Sequence, residues 1–421
     1  MNQGDIVRVE QGHSFQLGAP LAPPGGQGTV FAATSLDRPG TKAVVKVFHG
    51  TSPDAERRLR FLIDSGASRT LPGLAGPMAR IKSRSTLAYL APVAPGRQIV
   101  DALMDRNRYT FELVEIATEL CHLLALMEQN DLGHGDLHAA NVFLADDNRV
   151  SLIDLDNFNA RQRGLPPPPA YGHDDYMAAE LREARLAKKQ LAADLRTDRF
   201  ALAVLLHRLL FLAHPAEHAR SDPARFLDVM TSGHWPGRRH PPKKAPIMPF
   251  DTYGDGVVGL FERGFSRDPG RRPAAQEWRD SLLAAVADDC LVLHECGDVV
   301  MVDRLPATCA FCRQPVEVRK LVLLLRTPHE TLTLAAGEHD IGRDHFKHTS
   351  ARVSRRHLVI HFDGRAGLKL KHVGRNETRL ENHQNNSWET LQTHSWTPLR
   401  KLPATLKLAD LDLRLELAKA R

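Results

Sequence analysis

The stretch His134-Gly135-Asp136-Leu137-His138-Ala139-Ala140-Asn141, followed by Leu152-Ile153-Asp154-Leu155-Asp156, decides how this chain reads. It sets a carboxylate and a carboxamide, Asp136 and Asn141, on one tight loop. The runs Asn141 to Leu144 and Val150 to Ile153 predict a hairpin turned at Asp146-Asp147-Asn148, which brings back a second carboxylate, Asp154. Three such groups suit phosphoryl transfer. One acid orients an attacking hydroxyl, while an amide and the other acid hold Mg²⁺ against phosphates. The plain alternative is a polar turn after a helix.

Upstream, residues 15 to 48 read as three strands. Gly25, Gly26 and Gly28 lie between the first two, with Val30 just beyond, and a glycine-rich hairpin can present backbone N–H groups to phosphates. Lys46 sits inside the nearly apolar run Lys42 to Phe48, which is unfavourable unless it is paired. Otherwise it keeps an edge strand soluble, as Lys42 would. A helix is expected from Ser52 as N-cap and Pro53 as first residue, with Glu56, Leu59, Leu62 and Ile63 on one face. Glu56 is then either the partner of Lys46 or a solvated charge beside Arg57, Arg58 and Arg60. Tyr89 to Gly96 reads as a strand ending in a hinge.

Downstream, Phe111 to Glu128 is strongly helical and feeds the Asp136 loop. Residues 157 to 175 contain no serine or threonine, and Tyr176-Met177-Ala178-Ala179-Glu180 closes that segment. Thr197 is expected to cap a very apolar helix with Asp198 in its first turn. Ser266-Arg267-Asp268-Pro269-Gly270-Arg271-Arg272-Pro273 is a turn carrying Arg272.

In this order the segments resemble a bacterial protein kinase of the eukaryotic-like type, over residues 15 to about 287. The resemblance implies ATP and Mg²⁺ as cofactors. Asp136 would be the catalytic base, and Asn141 and Asp154 would bind Mg²⁺. Lys46 would hold phosphates with Glu56 as its partner. Gly25, Gly26, Gly28 and Val30 would cover the nucleotide, whose adenine would dock at the hinge. Asp198 would brace the catalytic loop, and Glu180 would pair with Arg272. Departures are Pro23 for the first glycine of the loop, Gly135 for an arginine, His138 for a lysine, Ala179 for a proline and Asp156 for a glycine. Pro23 and Asp156 leave open a binding scaffold with little turnover. His-Gly-Asp also occurs in kinases of aminoglycosides and choline, which leaves a small-molecule kinase open.

Four of the five cysteines crowd together as Cys290, Cys296, Cys309 and Cys312. Their spacing suits tetrahedral Zn²⁺ in a reducing compartment, with His294 as an alternative to Cys290; buried free thiols are the plain alternative. From Lys320 onward, alternating apolar residues predict a β-sandwich. Gly342-Arg343, Ser354-Arg355-Arg356-His357 and Arg375-Asn376-Glu377-Thr378 resemble motifs of forkhead-associated domains, which bind phosphothreonine peptides. The resemblance assigns Arg343, Ser354, Arg355, Arg375 and Asn376 to the phosphopeptide and makes His357 a brace. A plain sandwich is the alternative.

The expected architecture is therefore multidomain α+β. A bilobal kinase domain spans 1–287 (lobes 1–92 and 93–287), a zinc-ribbon-like module 288–317 and an all-β forkhead-associated domain 318–421. The combination resembles kinases encoded with tellurium-resistance-type stress systems. That likeness implies a PP2C-like phosphatase and a von Willebrand factor A-like protein among phosphothreonine-bearing partners. The chain has 421 residues, net charge +6 and interspersed charges, so nucleic acid is not indicated. It shows no signal peptide and no long apolar run, so a cytoplasmic protein without a membrane span is expected.

Overall fold

The computed structural model describes residues 1–421 except 51, 84, 104–109, 147, 161–163, 167–171, 190, 237–252, 286–290, 294–298, 302–306, 309–313, 317–320, 363, 365–367, 383–386, 400–401 and 420–421. It is mixed α+β and divides into two compact units. The first comprises 1–107, 115–250 and 255–283; the second comprises 108–114, 251–254 and 284–421.

The first unit begins with an antiparallel sheet. Its strands are β1 (Ile6–Arg8), β2 (Ser14–Pro20), β3 (Gly28–Ser35), β4 (Lys42–Phe48), β5 (Ala79–Arg80) and β6 (Ala88–Ala91), in the order β1-β2-β3-β4-β6-β5. Period-2 alternation sends Phe15, Leu17, Phe31, Ala33, Ala43, Val45 and Val47 to one buried face. The other face carries Tyr89 and Ala91, which pack on Leu59 of helix α1 (Pro53–Ser65). Ser52 caps α1 by accepting from Ala55 N (3.1 Å), and Gly66 ends it in the left-handed conformation.

The chain continues through α2 (Ala67–Thr70), β7 (Arg97–Gln98), α3 (Ile99–Leu103) and α4 (Thr110–Gln129). The expected hairpin is β8 (Val142–Leu144) against β9 (Val150–Leu152), with β7 on the far side of β8. Then come α5 (Ala179–Leu186), α6 (Leu195–Phe211), α7 (Pro223–Thr231), α8 (Gly254–Gly264) and α9 (Ala275–Ala285). Helix α6 is buried along most of its length, and Phe211 meets an aromatic stack of Trp235, Phe261 and Trp278. Its cap is not Thr197 but Asp194, whose carboxylate accepts from Arg196 N and Thr197 N (2.9 and 3.0 Å). Thr197 answers from the third helical position by accepting from Asp194 N (2.9 Å), completing a capping box.

In the second unit, two short hairpins precede an all-antiparallel region: β10 (Leu291–Leu293) with β11 (Val299–Met301), and β12 (Ala307–Thr308) with β13 (Pro315–Val316). The region itself has β14 (Leu321–Arg326), β15 (Thr331–Leu334), β16 (Gly337–Ile341), β17 (Leu358–Phe362) and β18 (Leu368–His372). It continues with β19 (Thr378–Asn382), β20 (Ser387–Thr390), β21 (Trp396–Leu399), β22 (Ala404–Leu408) and β23 (Leu411–Lys419). These form sheets ordered β15-β14-β23-β22-β19-β20 and β16-β17-β18-β21. Leu323 and Leu325 from one and Ile360 and Phe362 from the other share a single buried cluster. Among the described residues, no helix is long and apolar enough to cross a membrane.

Candidate functional site

The loop between α4 and β8 is shaped by what it cannot expose. His134 is fully buried; its Nε2 meets Ile153 O (3.0 Å), and its Nδ1 accepts from Asp136 N (3.3 Å). Asp198 in the first turn of α6 accepts from His134 N (2.5 Å) and Gly135 N (3.1 Å). Gly135 has φ +76°, and a Cβ there would lie 2.0 Å from Asn157 O, so the loop admits only glycine. Asn141 Nδ2 donates to Asp136 O (3.0 Å) and sits 3.0 Å from His138 Nε2. With the amide hydrogens so used, the carboxamide oxygen is the group left for a cation.

Lys46 is 6% exposed and bonds the carboxylates of both Asp154 and Asp156. Asp154 has φ +59°, a left-handed position after β9. Burial opposes the charge on Lys46, but the two carboxylates outweigh it and raise its pKa above the ordinary lysine value. Burial likewise pushes Asp154 up, and Lys46 overrides that to hold it below the usual carboxylate range. Asp156 is pushed up to about 6 by burial, with Asp154 adding to it. Asp136 also rises to about 6, from burial and then from Asp154. Burial lowers His138 to about 4, so it stands neutral beside Asp136 at 3.8 Å.

The expected pairing of Lys46 with Glu56 is not what the structure has. Glu56 lies on the half-exposed side of α1 and pairs with Arg80 (2.6 Å). The acid beside Lys46 comes instead from the segment after β9. Of the glycine-rich turn, Gly25 N donates to Gly28 O (3.0 Å), Gly26 is exposed, and Val30 lies opposite Lys46 in the β3–β4 register. Gln27, which the sequence did not single out, reaches from this turn to Asn157 Oδ1 (3.3 Å).

Glu180 and Arg272 meet through two bonds of 2.7 Å. Arg272 is 1% exposed, also donates to Ser266 O (3.1 Å) and Arg196 O (3.0 Å), and lies over the Phe200 ring. Such a pair fixes the end of the 157–180 segment against α6 rather than reacting.

In the β-rich unit, one loop cluster gathers Arg343, Arg352, Ser354, Arg355, Arg375 and Asn376. Ser354 Oγ accepts from Arg375 N (3.0 Å), and Asn376 Nδ2 donates to Arg352 O (2.6 Å). His357 is fully buried and its Nδ1 accepts from Ser354 N (3.0 Å), so it ties the loop from within. A Cβ on Gly342 would lie 1.9 Å from Arg355 O, so the loops approach closely enough to require glycine. Asp344 is the nearby acid, 3.7 Å from Arg343 and 4.0 Å from Arg355.

Cys290, His294, Cys296, Cys309 and Cys312 lie outside the described residues. Among the described residues, no group of three or more His, Cys, Asp or Glu could hold a metal by itself. Compared with family models and with curated proteins, the sequence matches none.

Proposed function

We propose that this chain is an ATP- and Mg²⁺-dependent serine/threonine protein kinase whose C-terminal sandwich docks phosphothreonine-bearing proteins. The observation that carries the reading is the convergence of Asp136, Asn141, Asp154 and Lys46 around one loop braced by Asp198. Asp136 is the base for the attacking hydroxyl, and its raised pKa suits proton acceptance near neutrality. Asn141 and Asp154 offer hard oxygen donors of the kind Mg²⁺ takes, one or two protein groups being enough when phosphates supply the rest. Bound there, Mg²⁺ would supply charge neutralisation for the phosphates. Lys46 supplies the fixed positive charge for the same groups.

The loops of the sandwich support the docking half. Arginine side chains around a hydroxyl suit a phosphate by charge-assisted, bidentate bonding. Incubating the full chain with labelled Mg-ATP, and following phosphate onto itself or onto Ser/Thr peptides, tests the kinase. Asp136→Asn and Asp154→Asn should each abolish transfer. A wild-type chain that binds Mg-ATP but labels no hydroxyl refutes it.

A further inference from the structure

Lys46 and Tyr89 are direct partners across the β4–β6 register, so their side chains leave the sheet on the same face. Tyr89 OH donates to Asp156 Oδ1 (2.9 Å), and Asp156 Oδ2 faces Lys46. The side chain of Asp156 is 4% exposed, whereas that of Asp154 is 36% exposed. Of the two acids on Lys46, Asp154 is therefore the accessible one and Asp156 the enclosed one.

Helix α1 brings a cation to its buried side. Arg58 there is 6% exposed, and its Nε has no hydrogen-bond partner among the described residues. Burial lowers its pKa, while Asp54 and Asp156 oppose that. Lys46 already has two carboxylates, Asp154 and Asp156, while Glu56 of the helix is engaged by Arg80.

We infer that Asp156, held by Tyr89, is the residue that positions Lys46 for the nucleotide phosphates, in place of the helix carboxylate Glu56. This rests on the nucleotide-binding reading above. When a cation and phosphates engage Asp154, Lys46 keeps one anchoring carboxylate in the interior. The lysine is then set by the segment following β9 and does not need Glu56 of α1. Asp156 is a positioning residue; it acts through Lys46.

The test uses the full chain and two readouts: equilibrium titration with Mg-ATP, and the rate at which an amine-acylating reagent labels Lys46 without nucleotide. Asp156→Asn keeps the size of the side chain but removes its charge. It should weaken Mg-ATP binding about tenfold or more, the range of a lost charge-assisted contact. It should also speed Lys46 labelling, because a side chain with one ion pair fewer is held less tightly and meets the reagent more readily. Asp156→Glu should recover part of both. Tyr89→Phe, which leaves the charges in place, should move both readouts in the same direction by less, and it covers the case in which Asp156→Asn does not fold. The opposite ranking, Glu56→Gln costing more than Asp156→Asn in both readouts, overturns the inference while leaving the kinase reading intact. So does Asp156→Asn behaving as wild type. A chain that binds Mg-ATP and shows the expected ranking but transfers no phosphate refutes the kinase reading alone, and a chain that binds no Mg-ATP removes both.

Discussion

Replacing Gly135 with alanine puts a methyl carbon 2.0 Å from the Asn157 carbonyl oxygen, at a residue whose φ is +76°. The left-handed backbone alone costs an L-residue about 1–2 kcal/mol. Relieving the contact requires the Asn157 peptide to withdraw. That peptide belongs to a segment tied to the loop by Gly133 N to Asn159 O (2.8 Å) and Asn159 N to Gly133 O (2.9 Å). Each such bond contributes about 0.5–1.5 kcal/mol net. If both are lost with the strain unrelieved, the variant is less stable by about 2–5 kcal/mol. Urea unfolding followed by tryptophan emission reads this, because Trp235 and Trp278 are buried in the first unit while Trp388 and Trp396 are exposed in the second. Turnover should fall further than stability, since the same shift displaces Asp136 and the N–H groups that Asp198 accepts. An arginine at this position should do worse than alanine. A Gly135→Ala chain that unfolds within about 0.5 kcal/mol of wild type and keeps its turnover would show that this contact does not constrain the loop.

Other outcomes are expected on the same basis. Arg272→Ala should destabilise the first unit towards the low end of the roughly 3–5 kcal/mol seen when a buried pair loses one partner, because Glu180 remains a quarter exposed to water; the same unfolding assay measures it. The kcat/KM for Mg-ATP and a peptide should level off above about pH 7, halve at about pH 6 and fall towards tenfold per unit below that, since burial raises the Asp136 carboxyl to about 6 and it must be ionised to act as base; a profile flat to pH 5 contradicts that role. Arg343→Ala should weaken the full chain's binding of a phosphothreonine peptide about tenfold or more, with salt weakening the wild type; equal affinity for the unphosphorylated peptide would leave a sandwich without this ligand. Treatment with a Ser/Thr phosphatase should leave turnover intact, because residues 157 to 175 offer no hydroxyl of that kind and Gly135 supplies no arginine to hold a phosphate.

What could be read ahead of the structure follows the range of the interaction involved. Asp136, Asn141 and the hairpin returning Asp154 lie within twenty residues of one another, and turn chemistry with β-propensity is enough to place them. Ser52 before Pro53 is likewise a local cap. The cap of α6 is also local, but Thr197, the cap expected from the sequence, is the third-position half of a box opened by Asp194. In the sandwich, β16 is Gly-Glu-His-Asp-Ile, with only Ile341 buried, so alternation of apolar residues could not reveal it. The partner of Lys46 is a different kind of problem. Spacing along α1 puts Glu56 within reach, but which acid wins depends on Arg80 outside the helix, and on Tyr89 holding Asp156. One clue was in the sequence: Asp156 stands where glycine would be expected. An acid two residues after Asp154 must either go to solvent or find cations inside, and a lysine within an otherwise apolar strand needs an acid. Each residue is costly to bury alone, and the pairing of the two answers both costs.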